Sequence, residues 1–226
     1  MEEYRRRAAE KATEYLKDGM VIGLGTGRTA TYAIRKIGKL VRAGMKITAV
    51  STSDATTALA GAEGINVSSL DEHPVIDVTI DGADEVDPSL NLVKGKGGAL
   101  LREKIIAYST RDEIIVVDES KLVGRLGEKE AIPVEILKFG YLNTVSHLSD
   151  LGCSVALRMQ DGHLFVTDNG NYIADCRFTS INQPSELHSR INTIPGVIDN
   201  GMFLGMAARV LVGREREVTV LERKRR

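Results

Sequence analysis

The chain has 226 residues, 42% of them apolar and 27% charged, with a net charge of −1. That length gives one large domain or two small ones with a sizeable core, and the balanced charge offers no long-range field for nucleic acid or an anionic membrane. No apolar run approaches the roughly 18 residues of a membrane span, and the charged start Met1–Lys11 lacks the apolar centre of a secretion signal.

The cysteines, Cys153 and Cys176, form no CxxC or Cys/His cluster and so point to neither zinc nor a disulfide framework. A reducing cytoplasm is the expected compartment. With no Trp and four Phe, the core must rest on Val, Ile, Leu, Ala and Met. The basic run Arg223–Arg226 reads as a solvated tail.

Residues 3–17 form a helical pattern rich in Ala, Glu, Lys and Arg, ended by Asp18-Gly19. Met20–Leu24 reads as a strand stopping at Gly25, followed by a helix from Thr29 to Val41. A strand at Lys46–Val50 and a helix at Ser53–Ala62 come next. Then follow a strand at Ile76–Asp81, a helix at Gly98–Ser109 and a strand at Ile114–Asp118. This alternation of short apolar strands with helices predicts a Rossmann-like open, mostly parallel sheet with helices on both faces.

After Ile132-Pro133 the texture changes. Strands at Val134–Leu137 and Val155–Met159 flank a helix at Tyr141–Leu151. The runs His163–Val166 and Tyr172–Cys176 read as a hairpin-like pair around Asp168-Asn169-Gly170, and a helix at Ser185–Asn192 follows. That order predicts a smaller α+β domain of the split βαβ, ferredoxin-like kind. Two closing strands, Ala208–Val212 and Val218–Leu221, return to the first domain. The expected division is a discontinuous catalytic domain over 1–130 and 207–226, with the small domain over 131–206.

Three constellations carry chemistry. Gly23-Leu24-Gly25-Thr26-Gly27-Arg28-Thr29 joins a strand to a helix. Its glycines permit close backbone approach, and the helix N-terminus offers N–H groups to an anion. It matches neither GxGxxG nor GK[ST], so it is an anion site or simply a tight turn. Asp81-Gly82-Ala83-Asp84-Glu85-Val86-Asp87 ends a buried strand with clustered carboxylates. Ligands of open α/β sheets bind at such ends, although Asp-rich turns are also purely structural. Lys94-Gly95-Lys96-Gly97-Gly98 runs into a helix that carries Glu103 between Arg102 and Lys104, both of which read as solvent-facing. Lys121 lies beyond the next strand.

Taken together, GLGTGRTA (23–30), STSDATTALA (51–60), DVTIDGADEVD (77–87), LVKGKGGALLREKIIA (92–107) and IIVVDESKLV (114–123) resemble ribose-5-phosphate isomerase of the A type. IPVEI (132–136), GCSVALR (152–158) and GMF (201–203) extend the match. The resemblance implies that Thr26, Gly27, Arg28 and Thr29 bind substrate. It implies the same for Asp81, Gly82, Ala83 and Asp84, for Lys94, Gly95, Lys96 and Gly97, and for Lys121. Glu103 is implied as the proton acceptor. It further implies a pentose 5-phosphate as the small-molecule partner, no metal, no cofactor, and a homodimer or homotetramer. Arg28 stands where Ser or Thr is usual and Lys96 where Gly is commonest. The family's N-terminal basic residue near the phosphate corresponds to Arg5, Arg6 or Arg7.

The chemistry fits those residue types. Interconversion of ribose 5-phosphate and ribulose 5-phosphate moves a proton between C2 and C1 through a cis-enediolate, and one carboxylate can serve both carbons. Shielding from water raises its basicity, which makes Glu103 the expected base. Lys94 can stabilise the enediolate oxygen. Asp81 and Asp84 suit hydroxyl proton transfer or ring opening. The phosphate supplies remote binding energy through Thr29, the helix N-terminus, Arg28 and Lys121. Three other readings compete: a sugar-phosphate-sensing regulator domain, a generic nucleotide-binding domain and a structural subunit. The first is disfavoured by the roughly 19 residues before the first strand, too few for a helix-turn-helix; the second by the missing GxGxxG.

Overall fold

The computed structural model describes residues 1–223, so most of the basic run Arg223–Arg226 lies outside the described residues. The chain divides into two compact units. One comprises Met1–Ala83, Arg102–Leu122 and the residues from Gly205 on; the other comprises Asp84–Leu101 and Val123–Leu204. The second glycine loop therefore groups with the residues from Val123 to Leu204, whereas the sequence pattern places the boundary near 130.

In the first unit the chain runs α1 (Glu2–Ala12), β1 (Val21–Leu24), α2 (Arg28–Arg42), β2 (Thr48–Ser51), α3 (Asp54–Ala62), β3 (Asn66–Ser68) and β4 (Ile76–Gly82). It enters the second unit with the short strands β5 (Glu85–Val86) and β6 (Leu92–Val93), and returns through α4 (Leu100–Tyr108) to β7 (Thr110–Asp118). The second unit continues with β8 (Ile132–Ile136), α5 (Tyr141–Ser149), β9 (Ser154–Leu157), β10 (Met159–Gln160), β11 (His163–Leu164), β12 (Tyr172–Arg177), α6 (Pro184–Asn192), β13 (Val197–Asn200) and β14 (Met202–Phe203). Strands β15 (Arg209–Gly213) and β16 (Val218–Glu222) belong to the first unit.

The first unit is built on a seven-stranded sheet of order β16-β15-β7-β4-β1-β2-β3. Every pairing is parallel except that of the edge strand β16. Helix α2 buries Ala30, Ala33, Ile34 and Ile37, the i, i+3, i+4, i+7 stripe of an amphipathic helix. Helix α1 buries Ala8, Ala9 and Ala12. The α1 alanines and Ala33, Ile34 and Ile37 of α2 join Ile22, Leu24, Val78, Ile80, Ile114 and Val116 of the sheet in one core. Ile106 of α4 packs separately with Val50 and Ile76. Each fully buried Val, Ile or Leu here contributes roughly 1.5–3 kcal/mol by leaving water, and each Ala less.

The second unit holds an antiparallel sheet of order β13-β8-β12-β9. Its chain order, strand-helix-strand-strand-helix-strand, is the split βαβ topology. Leu148 of α5 and Ile191 of α6 pack with Val134, Ile136, Ala174 and Cys176. A small three-stranded sheet, β14-β6-β5, completes it. Glu85, fully buried, accepts the backbone N–H groups of Gly127, Lys129 and Glu130 at 2.6–2.8 Å.

Two local expectations are corrected. The runs 163–166 and 172–176 close a turn, with the Thr167 N–H donated to the Asn171 carbonyl, but do not pair as strands. β11 pairs back onto β10, while β12 pairs with β8 and β9. The first helix stops at Ala12 rather than residue 17 and gives way to a 3-10 turn, Thr13–Tyr15. Among the described residues no helix is long and apolar enough to cross a membrane.

Candidate active site

In the parallel sheet, successive strands step outward one way from β1 to β3 and the other way from β4 to β15. The chain reverses direction between β1 and β4, and open α/β sheets bind ligands at the carboxyl edge of such a point. The loop Gly25–Thr29 leaves the end of β1, and Asp81-Gly82 ends β4. Helix α4 leads into β7, parallel to β4, so it runs back along the sheet. Its first turn, with Glu103, therefore belongs to the carboxyl edge, as does Lys121 just beyond β7.

The first loop is wound around Asp81. Oδ1 of that carboxylate accepts the N–H groups of Thr26 at 3.2 Å and Gly82 at 2.7 Å. Gly25 must be glycine here, because a Cβ would lie 2.0 Å from the same oxygen. Thr26 turns its hydroxyl inward, to Thr52 at 2.6 Å, Ser53 at 2.8 Å and Thr56 at 3.2 Å. Thr56 in turn donates to the Gly25 carbonyl at 3.0 Å. Ser53 also caps α3 through the Thr56 N–H. The STSDAT segment thus braces the loop, and the Thr26 side chain is committed to that bracing. Gly27 caps α2 without a side-chain hydrogen bond, at φ 101°. Gly27 and Arg28 are exposed, and Thr29 is half-buried.

Arg28 lines a cleft of about 380 Å³ with Arg5, Arg35, Thr31, Tyr32 and Glu2. This separates the three N-terminal arginines. Arg6 pairs with Glu3 at 2.8 Å in the open, and Arg7 donates to the Arg214 and Glu215 carbonyls. Arg5 reaches the cleft and pairs through Nε with Asp118 at 2.5 Å. Asp118 also accepts from the N–H and hydroxyl of Ser120, capping the 3-10 turn Glu119–Lys121. Burial pushes its carboxyl up, but the hydrogen bonds from Ser120 and Arg5 outweigh that and hold it below the ordinary carboxylate value.

Glu103 lies in the first turn of α4 with 5% of its surface exposed. Its neighbours divide. Arg102 is half-buried and pairs with the exposed Asp54 at 2.7 Å. Lys104, expected at the surface, is buried at 7% exposure.

In the second unit, β5–β6 pairing brings Asp84 beside the second glycine loop. The Asp84 N–H donates to the Val93 carbonyl at 2.8 Å, and its Oδ2 accepts the Lys96 N–H at 3.0 Å. Lys94 is buried at 2% exposure, with its ammonium 5.4 Å above the Phe203 ring. Its N–H donates to the Gly201 carbonyl at 2.9 Å. Gly95 is buried and Gly97 exposed. Lys96 is an outward residue, paired with Glu130 at 2.8 Å. Gly82, Ala83 and Lys121 are half-buried.

The model of ribose 5-phosphate isomerase A (phosphoriboisomerase A) matches residues 48–217. A ribose-5-phosphate isomerase A from Gloeobacter violaceus is 48% identical over 218 residues, covering 96% of this chain and 95% of that protein. The chain belongs to the ribose 5-phosphate isomerase A family. It is accordingly an isomerase, an intramolecular oxidoreductase. Two solved members share the whole fold. Ribose 5-phosphate isomerase from Plasmodium falciparum superposes with a TM-score of 0.95 at 40% identity, covering 100% of both chains. A D-ribose-5-phosphate isomerase in complex with phospho-erythronic acid superposes with a TM-score of 0.94 at 42% identity, covering 98% of this chain and 99% of that one.

Three features of this family member escaped the sequence reading. The inward hydroxyls of Thr52, Ser53 and Thr56 carried a signal, the Ser-x-x-Thr cap of a helix. Asp118 carried another, an Asp two residues before Ser120. Arg158, whose guanidinium bonds the second glycine loop, carried none, since its partners lie at Gly95, Lys96 and Asp175.

Proposed function

We propose that the chain interconverts D-ribose 5-phosphate and D-ribulose 5-phosphate through a cis-enediolate, with Glu103 as the base. The observation that carries this reading is the burial of the Glu103 carboxylate in the first turn of α4. A carboxylate withdrawn from water is a stronger base than one in solution. Glu103 removes the proton from C2 of the open-chain aldose and returns it to C1, on the same face of the planar intermediate. Lys94 places a desolvated positive charge at the enediolate oxygen, where it acts most strongly in the transition state. Asp81, fixed by the Thr26 and Gly82 N–H groups, and Asp84 serve ring opening and the exchange of protons between O1 and O2. Gly82, Ala83 and Gly97 leave room for the sugar, Gly95 lets the loop pack closely on Leu100, and Lys96 stands at the margin.

The phosphate is held by Thr29, the N–H groups of Gly27 and Arg28 at the uncapped start of α2, Arg28, Lys121 and Arg5. The cleft shared by Arg5 and Arg28 supports Arg5 over Arg6 and Arg7. The relative solved with phospho-erythronic acid, itself a phosphorylated sugar acid, is consistent with such a ligand. A cytoplasmic homodimer or homotetramer, acting without metal or cofactor, completes the reading.

Formation of ribulose 5-phosphate from ribose 5-phosphate is the direct test. Glu103→Gln should lower kcat on the order of 10²–10⁴-fold with modest change in KM. Near-normal turnover in that variant would remove Glu103 from the role of base. Lys94→Ala should lower kcat on the order of 10²-fold or more. An effect confined to KM would remove the oxyanion role.

A further inference from the structure

We propose that Arg158 and Phe165, at the two ends of the β10–β11 hairpin, are positioning residues that hold the loop Lys94–Gly98 in its binding conformation. The proposal rests on the reading that this loop binds substrate.

The hairpin grips the loop twice. The Arg158 guanidinium uses one edge for Asp175, with Nε to Oδ2 at 3.0 Å and Nη2 to Oδ1 at 2.5 Å. That two-point contact fixes its plane. Nη1 then donates to two successive loop carbonyls, Gly95 at 2.7 Å and Lys96 at 3.1 Å. At the other end, the Phe165 ring lies against Gly98, where a Cβ would fall 2.3 Å from the ring. Gly98 has φ +85°, so glycine is required there on both counts. The hairpin is itself fixed: Arg158 donates its N–H to the Ile173 carbonyl, and Phe165 donates its own to the Arg158 carbonyl, both at 2.9 Å.

The grip has a directional consequence. A trans peptide points its C=O and the following N–H to opposite sides. Turning the Gly95 carbonyl toward Arg158 sends the Lys96 N–H the other way, where Asp84 accepts it at 3.0 Å. Turning the Lys96 carbonyl toward Arg158 likewise directs the Gly97 N–H away from the guanidinium. Arg158 therefore sets both the aim of the Gly97 N–H and the hydrogen bond that orients Asp84. The side chain is 15% exposed and Asp175 is 27% exposed, so the pair is largely shielded from screening.

Arg158→Ala should lower kcat on the order of 10²-fold, the scale of an ångström misplacement in a reacting site, at temperatures where its circular dichroism spectrum matches the parent. Added guanidinium should restore kcat several-fold, while urea at the same concentration should not. Asp175→Asn should lower kcat less, and combining it with Arg158→Ala should add little. Phe165→Ala should fall between. Wild-type kinetics in Arg158→Ala would overturn the proposal. So would a loss of activity that guanidinium leaves untouched and that follows melting temperature alone. If Arg158→Ala does not fold, Arg158→Lys decides: it keeps the charge but cannot bond Asp175 and both carbonyls, so unchanged kcat overturns the proposal. Lys94→Ala separates the two levels. Wild-type activity there refutes the loop as a substrate site, whereas an inactive Lys94→Ala beside a normal Arg158→Ala refutes only the clamp.

Discussion

The two glycine-rich loops look alike in sequence and are held by different means. Gly25–Thr29 is braced from within its own sheet: by a carboxylate on the neighbouring strand β4, and by the hydroxyls of Thr52, Ser53 and Thr56 at the next strand-to-helix turn. Lys94–Gly98 follows β6 of the small three-stranded sheet and is held by a guanidinium and an aromatic ring carried on a separate hairpin. The first brace combines one buried carboxylate with a cluster of neutral hydroxyls. A charged clamp suits a loop that must keep a buried ammonium, Lys94, in one place. The lesson is that a glycine loop gains its shape from what surrounds it, and the surroundings determine which substitutions it tolerates.

Substitutions can break or sharpen that comparison. Among changes to the first loop and its surroundings, the largest effect is expected from Gly25→Ala. Its methyl would overlap Asp81 at 2.0 Å, so either the loop or the carboxylate must move; kcat/KM should fall on the order of 10²-fold, read in the isomerase assay. If Gly25→Ala is as active as wild type, the first loop does not depend on the close approach.

Next comes Thr26→Val, which removes the hydroxyl that joins three others. A loss of about 1–3 kcal/mol is expected, seen as a melting temperature lowered by roughly 2–4 °C per kcal/mol for a chain of this size.

Asp118→Asn should act through pH. A carboxyl held below its unfolded value of about 3.9 contributes stability that is present above that value and lost as pH falls through the lower, folded one. Wild type should therefore lose stability below about pH 4 more steeply than the Asn variant, and the two stability curves should converge in acid. Parallel acid unfolding curves would show that Arg5 and Ser120 do not stabilise the charged form.

The smallest effect is expected from Arg102→Ala. Its exposed pair with Asp54 is worth at most about 1 kcal/mol, and kinetics should stay near wild type even though Arg102 adjoins Glu103. A large drop in kcat there would mean that the helix face is not divided as described.

Much of this was legible in the chain itself. The alternation of short apolar runs with helical stripes gave the parallel sheet, because both faces of such a sheet are covered and the pattern is local. The loop motifs are local in the same way, which is why candidate site residues could be named from them. What stayed hidden depends on distant partners. Nothing in Arg102-Glu103-Lys104 says that Lys104 turns inward while Arg102 turns out. Nothing in Arg5-Arg6-Arg7 says that the first meets Asp118, more than a hundred residues away. His163–Val166 has the composition of a strand, yet the register of β12 is taken by β8 and β9 on its two sides, which leaves β11 only its nearest neighbour, β10.

The carboxylate of Glu85 has one further consequence. By composition, Gly124–Glu130 is an ordinary polar connector of the sort that proteases cut and protein engineers lengthen. Three of its backbone N–H groups are bound to one buried side chain, so it has no slack to enter a protease cleft and no room for an inserted residue between Gly127 and Glu130.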